Sequence, residues 1–188
     1  MEEQVARKSI EKLTQSISSN LESLRRSLDH LCASLNTHQT HHHQSNGQSI
    51  ASLGNTGPLR DGTLLRRKDS SKLPPISKYV SFIVSEGEIE LEVLITAYIL
   101  LERFLEELEV PSPVDFHKLF CVSVFIAQKL VLDMELWTAQ DFAEFGGISE
   151  KELKSREIEF LNLLDFKVHV SEKEYFLYLK EFTAEESD

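Results

Sequence analysis

The chain has 188 residues, of which 41% are hydrophobic and 27% charged, a length and composition that fit one globular domain with an appendage. The longest apolar run, residues 119–127, is about half of the roughly 20 residues that a helix needs to cross a bilayer, so we expect no membrane span. The acidic start has no apolar stretch after it, which predicts no secretory signal and an intracellular protein of the cytoplasm or nucleus. With only Cys32 and Cys121, neither a disulfide framework nor a thiolate zinc site is predicted.

The net charge of −11 is unevenly distributed along the chain. Residues 1–73 carry 10 basic and 7 acidic side chains, whereas residues 74–188 carry 10 and 24, so the two parts have net charges of +3 and −14. Because phosphate contacts need a basic face, this balance argues against a nucleic-acid partner. The C-terminal part is expected to prefer a partner with a basic surface.

The first segment, residues 1–36, is predicted to be an amphipathic helix. Between Val5 and Leu35 apolar residues recur at the alternating three-four spacing of a heptad: Ile10, Ile17, Leu21, Leu24, Leu28, Leu31 and Leu35. Ser18, Asn20, Ser27 and Ser34 flank this seam in place of charges that would select a partner. Two interpretations remain open, namely self-association through residues 5–35 as a coiled coil, and docking of the helix on its own domain.

Residues 37–73 are interpreted as a disordered linker, because their polar composition cannot bury enough apolar surface to offset the entropy of ordering it. Its histidines, His38 and residues 41–43, are taken as a polar tract rather than a metal site. The basic run 66–68 precedes Ser70 and Ser71 and is similar to the recognition site of a basophilic kinase, which makes both serines candidate phosphorylation sites. We expect residues 1–73 to be removable without unfolding the rest.

Residues 74–182 show dense helical periodicity with no alternating strand pattern, which predicts a compact all-α domain of five or six helices followed by an acidic tail at 183–188. Two of these helices are apolar almost all round and are expected to form the centre of the bundle. Turn and cap residues separate the helices: Pro111, Pro113, Thr138 with Asp141, Gly146 and Gly147, Ser149 with Glu152, and Ser171 with Glu174.

Four runs within this domain resemble the motifs of the cyclin box, in the same order and most closely as they occur in the small single-box cyclins of the PHO type, also called P-type or U-type. They are Ala97–Phe104 (AYILLERF), Ala127–Lys129 (AQK), Phe145–Ser149 (FGGIS) and Phe160–Phe166 (FLNLLDF). The family usually has serine where this chain has Gln128. The resemblance implies a five-helix box that binds and activates a cyclin-dependent protein kinase.

The resemblance also implies a partner-binding pair. In the family, a lysine on the third box helix and a glutamate on the fifth clamp the backbone of the kinase before its C helix, and the matching positions are Lys129 and Glu157. Lys129 ends an apolar run and Glu157 interrupts an apolar helix, places where long charged groups normally find a partner or water. The alternative is that the two side chains pair only with each other or with solvent.

Other residues are expected to serve the fold. Arg103 lies within an apolar helix, where a guanidinium needs carboxylates or carbonyls, and Asp165 or a helix end is its expected partner. Gly146 and Gly147 are expected to close a helix, and Cys121 to be a small core residue. On the last helix, an apolar stripe is interpreted as core, with an interaction patch as the alternative: Tyr175, Phe176, Tyr178 and Leu179.

The sequence contains no nucleophile paired with a base, no glycine-rich phosphate loop and no metal-ligand quartet, so neither an enzyme nor a cofactor is predicted. The resemblance to the cyclin box implies instead a regulatory subunit of a protein kinase. The competing hypothesis is a helical scaffold or coiled-coil adaptor that contacts no kinase and works through residues 5–35.

Overall fold

The computed structural model describes residues 2–40, 74–108, 115–132 and 137–184. Over these residues the chain forms helices and no strands, so the predicted all-α class is confirmed. The helices are α1 (Glu2–Thr40), α2 (Ile76–Glu86), α3 (Leu91–Glu106), α4 (Phe116–Val131), α5 (Ala139–Gly146), α6 (Glu150–Leu163) and α7 (Glu172–Thr183). None of them, within the described ranges, is both long and apolar enough to cross a membrane.

Helices α3 and α4 form the centre of the bundle, as their all-round apolar character predicts. Every residue in 93–101 and in 119–128 is buried, so each helix is enclosed by neighbours on all sides. The Phe104 ring of α3 stacks on the Phe160 ring of α6 with centroids 4.8 Å apart, and α4 packs against α2, α5 and α6.

Helix α1 docks on its own domain through the predicted seam. Leu13, Ile17 and Leu21 are buried in the same apolar core as α2, α3 and α4. Residues near Ser18 and Glu22 share a groove with Ser77, while residues near Ile10 face Val84, so α1 runs antiparallel to α2. Of the two interpretations of this segment, the described part of the seam therefore fits docking on the chain's own domain, and a seam that belongs to the core does not fit the expectation that residues 1–73 can be removed without unfolding the rest.

Several sequence predictions fall at or beyond the limits of the described residues. The first helix continues to Thr40, past the predicted boundary at 36, so residues 37–40 are helical. The rest of the predicted linker, with the basic run and both candidate phosphorylation sites Ser70 and Ser71, lies outside the described residues, as do residues 185–188.

Helix ends follow the predicted cap residues with one difference. Thr138 and Asp141 form a reciprocal capping box, and Ser149 and Ser171 accept hydrogen bonds from the backbone N–H groups of Glu152 and Glu174. The carboxylates of these two glutamates, however, bind arginine side chains instead of completing the boxes. Charge-assisted contacts with arginine, within α6 for Glu152 and between helices for Glu174, therefore replace the second half of the local motif.

Tight turns end the helices α5 and α6. Gly147 ends α5 in the left-handed conformation, with φ 63°. At Gly146, a Cβ atom would lie 2.6 Å from the Sγ atom of Cys121, so the absence of a side chain lets α5 approach α4. Helix α6 is followed by Asp165 and Phe166, both with positive φ (55° and 57°), a conformation that is costly for a residue with a Cβ.

Candidate partner-binding site

The structure brings Lys129 and Glu157 together at the rim of the bundle. Lys129 lies in the last turn of α4 and Glu157 in the middle of α6. The Lys129 Nζ atom is 2.8 Å from the Glu157 Oε1 atom, and the two side chains are 36% and 16% exposed. Both charges are therefore paired without being removed from water.

Aromatic packing below the pair fixes the lysine. The Nζ atom stands 4.3 Å from the centroid of the Phe125 ring, one turn earlier on α4, which allows a favourable cation–π contact. Phe125 is buried and packs against Phe142 of α5, with ring centroids 5.3 Å apart. The ammonium group of Lys129 therefore lies against an aromatic ring that core packing holds in place.

The pair retains unused hydrogen-bonding capacity. An ammonium group has three donors and a carboxylate has two acceptor oxygens, and the bond between Lys129 and Glu157 uses one donor and one oxygen. No other hydrogen bond reaches either side chain from the described residues. A peptide backbone placed above the pair could donate its N–H to Glu157 and accept from Lys129 through its carbonyl.

Apolar and basic side chains lie next to the pair along the chain. Leu130 and Ile158 are large apolar residues with about half of their surface exposed. Lys154, one turn before Glu157, pairs with Glu150, whose hydrogen bond raises the pKa of Lys154, and Glu157 adds to this effect. The surroundings therefore combine apolar contact surface with charge, which suits a protein partner.

Gln128, at the position where the family usually has serine, has a structural role. Its side chain is buried, and Nε2 donates to the backbone carbonyl of Trp137 at 3.3 Å. The Trp137 indole N–H in turn donates to the carbonyl of Gly87 at 2.8 Å. Gln128 thereby ties the end of α4 to the segment before α5 and to the turn after α2.

Comparison with known proteins identifies the family. The family model named Cyclin matches residues 11–168, which is most of the chain. The chain belongs to the cyclin family.

Its curated relatives are U-type cyclins of Arabidopsis thaliana. Identity to Cyclin-U2-1 is 32% over 98 residues (51% of this chain and 44% of the relative), and identity to Cyclin-U4-1 is 32% over 115 residues (57% and 56%). Cyclin-U3-1 is 26% identical over 137 residues, 68% of this chain and 62% of the relative. The predicted P-type or U-type resemblance is confirmed, and this cyclin spans about half the length of the curated relatives it matches.

Arg103 fastens the last helix to the centre of the bundle through a carboxylate near a helix end and two carbonyls, and not through Asp165, the other partner that we expected. One guanidinium nitrogen, Nη2, lies 2.7 Å from both carboxylate oxygens of Glu174, and Nη1 donates to the carbonyls of Lys167 (3.2 Å) and His169 (3.0 Å). The Asp165 carboxylate instead lies 3.6 Å from Lys167 Nζ. Arg103 is also partly exposed rather than buried within α3, so it binds across the outer edge of that helix.

Glu102 is a structural residue that the sequence interpretation missed. Its two carboxylate oxygens accept hydrogen bonds from the Tyr98 hydroxyl at 2.8 Å and the Tyr178 hydroxyl at 2.6 Å. Burial, together with this carboxylate, raises the pKa of both phenols, so they remain donors. Tyr98 is four residues before Glu102 on the same helix, so the sequence spacing could have indicated this contact. Tyr178 lies on α7, and no spacing in the sequence indicates its contact with Glu102.

Arg156 is a second structural residue that the sequence interpretation missed. It is buried, but nothing in the sequence next to Glu157 distinguishes it from an arginine exposed to solvent. Its guanidinium binds Glu152 one turn earlier, and the same Glu152 oxygen is 3.1 Å from Lys118 Nζ on α4. Burial raises the pKa of Glu152, but the hydrogen bonds from Arg156 and Lys118 outweigh it and lower the pKa. This ion-pair cluster sets the position of α6 against α4, and with it the spacing of Lys129 and Glu157.

The remaining candidate residues have structural positions. Cys121 is buried in α4, and burial raises the pKa of its thiol to about 12, so it is a neutral core residue. Gly146 and Gly147 position α5 as described above. Among the described residues no group of three His, Cys, Asp or Glu side chains could hold a metal ion.

Proposed function

We propose that this cyclin is the regulatory, activating subunit of a cyclin-dependent protein kinase. Residues 74–182 would be the box that contacts the kinase, with α1 as a brace on its outer side. Membership of the cyclin family and the similarity to U-type cyclins support a regulatory role over a catalytic one. The cytoplasm or nucleus is the compartment in which such a kinase would be regulated.

The observation that carries the proposal is the ion pair between Lys129 and Glu157. It joins the third and fifth helices of the box, α4 and α6, at the positions that match the family's clamp. Its charges are already paired, and Phe125 holds the lysine, so little ordering would remain for a kinase loop to cause on binding. The pair is then both an internal contact in the free protein and a preorganised clamp in the complex.

The proposed mechanism supplies position rather than chemistry. Docking against the kinase C helix would hold that helix inward, so that its glutamate pairs with the lysine that contacts ATP. The cyclin contributes no reacting group. Its effect is a shift of the kinase toward the active conformation, in proportion to how much more tightly it binds that conformation.

The adaptor alternative is disfavoured by the position of α1. A coiled-coil adaptor needs an exposed apolar seam, whereas Leu13, Ile17 and Leu21 of that seam are buried in the cyclin's own core. Only the part of the seam after residue 27 remains for self-association through residues 5–35, and its side chains lie outside the described set. A kinase subunit therefore accounts for more of the structure than an adaptor does.

The proposal is tested by affinity purification of the tagged chain from its native cells, followed by transfer of phosphate from ATP to a generic serine/threonine substrate. The unmodified chain should recover a kinase activity that Lys129→Ala and Glu157→Ala both strongly reduce. Lys151→Ala, a change of an exposed lysine near the start of α6, is the matched control and should recover full activity. Absence of kinase activity with the unmodified chain would refute the proposal.

A further inference from the structure

The last helix, α7, is firmly attached along its inner side. Phe182 is buried and its ring makes an edge contact with Tyr98 at 4.9 Å. Tyr178 donates to Glu102, and Glu174 binds Arg103. These contacts fix the orientation of α7 on α3, so the residues on its outer side occupy defined positions.

The outer side of α7 presents two large apolar residues between two lysines. Phe176 and Leu177 are 54% and 60% exposed, and Lys173 and Lys180 are also exposed. The four residues have the spacing i, i+3, i+4 and i+7, so they share one face of the helix, which we name the α7 outer face. The predicted apolar stripe is thus divided, because Tyr175, Tyr178 and Leu179 pack on the core while Phe176 does not.

The lysines of the α7 outer face carry charges that no other described side chain neutralises. Neither Lys173 nor Lys180 forms an ion pair with any described residue. They place two positive charges on this face, within a part of the chain, residues 74–188, whose net charge is −14. A fixed helix with an apolar centre and unpaired charges around it has the composition of a protein interface.

We propose that the α7 outer face binds an acidic amphipathic helix of a protein other than the kinase, such as a substrate or an adaptor. The apolar side chains of that helix would cover Phe176 and Leu177, and its carboxylates would pair with Lys173 and Lys180. The charges would choose the partner and speed its association, while the apolar contacts would supply most of the affinity.

The positions of the lysines disfavour a second copy of this chain as the occupant. An antiparallel pair of α7 helices centred between Phe176 and Leu177 would place Lys173 opposite the second copy's Lys180. A parallel symmetric pair would place each lysine near its own equivalent. Both arrangements bring like charges together at the edge of an apolar contact, which disfavours self-association.

A membrane surface is a weaker candidate than an acidic protein. Two lysines are fewer than the about four to eight basic residues that bind anionic lipids through charge.

The α7 outer face is separate from the proposed kinase clamp. Helix α7 packs on α1 and α3, whereas Lys129 and Glu157 lie on α4 and α6. The family match ends at residue 168, before α7 begins. The inference does not rest on the clamp, since the two surfaces are changed by different substitutions.

Binding of synthetic peptides to the full chain, followed by fluorescence anisotropy, tests the proposal. The probe is a helical peptide of about two heptads with leucines at i, i+3, i+4 and i+7 and glutamates beside them. We expect saturable binding with a dissociation constant on the order of 100 μM or tighter, weakened by salt. A peptide with lysine in place of every glutamate should bind at least about tenfold more weakly.

Substitutions on the chain locate the binding surface. Phe176→Ala with Leu177→Ala should weaken binding about a hundredfold, and Lys173→Glu with Lys180→Glu about tenfold. The controls are Phe82→Ala and Lys78→Glu, which change an exposed phenylalanine and an exposed lysine on α2 and should leave binding unchanged. All four α7 residues are exposed, so these variants should melt like the parent.

Several results would overturn the proposal. They are no saturable binding at about millimolar acidic peptide, equal binding of the basic peptide, and equal loss of binding in the α2 controls. Dimers that Phe176→Ala dissociates would assign the α7 outer face to self-association instead. Stronger binding to phosphatidylserine vesicles than to the acidic peptide would assign it to a membrane.

Discussion

Glu102 and Arg103 are consecutive residues of α3 that both hold α7, by different chemistry. Glu102 accepts two phenol hydroxyls, one from its own helix and one from Tyr178. Arg103 binds a carboxylate and two backbone carbonyls. At this partly exposed edge of α3, the two side chains therefore join α7 to the centre of the bundle through charge-assisted hydrogen bonds.

Glu102→Ala should therefore destabilise the fold while leaving kinase binding nearly unchanged. Two phenol donors would lose a charged acceptor, and we expect the free energy of unfolding to fall by about 2 kcal/mol. Urea denaturation measures this change. The control Glu106→Ala alters an exposed glutamate one turn later and should be neutral; equal effects of the two substitutions would contradict the assigned role of Glu102.

Glu152 should make the stability of the cyclin sensitive to acid. The hydrogen bonds from Arg156 and Lys118 lower its pKa in the folded state, so its contribution is present above its unfolded-state pKa and is lost as pH falls through the lower, folded-state value. Glu152→Gln should reduce the fall in unfolding free energy below about pH 4.5. Denaturation series at several pH values test this, and an identical acid profile for the variant would contradict it.

At the scale of elements, the contact between α4 and α5 depends on the missing side chain of Gly146. Gly146→Ala should cost about 1 to 3 kcal/mol, because the new Cβ would meet the Cys121 Sγ atom. Cys121→Ala should rescue much of that loss, since it removes the sulfur. Thermal melts of both single variants and the double variant form the test, and strictly additive losses would show that the two residues do not meet.

Helix α1 is the element whose role the structure changes most. Because its seam is part of the core, Ile17→Ala should cost about 2 to 4 kcal/mol. A chain that starts at Lys72 should melt earlier and less cooperatively, contrary to the expectation that residues 1–73 are dispensable. Lys12→Ala, an exposed position on the same helix, should have little effect. A truncated chain that melts like the parent would mean that residues 1–73 are dispensable, as the sequence predicted.

At the scale of the whole molecule, local signals predicted more than long-range ones. The apolar α3 and α4, and the caps at Thr138, Ser149 and Gly147, follow from residues close in sequence. The docking of α1 and the partners of Arg103 could not be predicted in this way, because the groups involved are dozens of residues apart. The resemblance identified Lys129 and Glu157, and no periodicity argument would have placed them 2.8 Å apart.

The all-α class and the cyclin family are established. Phosphorylation at Ser70 and Ser71 stays a prediction, since both lie outside the described residues. The proposed kinase partner would be bound through one surface pair, Lys129 and Glu157.

The most direct test of that proposal is titration calorimetry of Lys129→Ala and Glu157→Ala with the co-purifying kinase, set beside their melting curves. A surface ion pair contributes about 0.2 to 1 kcal/mol to stability, so the free proteins should melt almost like the parent. Loss of a central charged contact should weaken the complex by about 2 to 4 kcal/mol, which is roughly 30-fold to 1000-fold. The double variant should lose less than the sum of the single losses, because both residues would contact one loop. Unchanged affinity in both variants, with a clearly lowered melting temperature, would mean that the pair is only an internal salt bridge and would contradict the clamp.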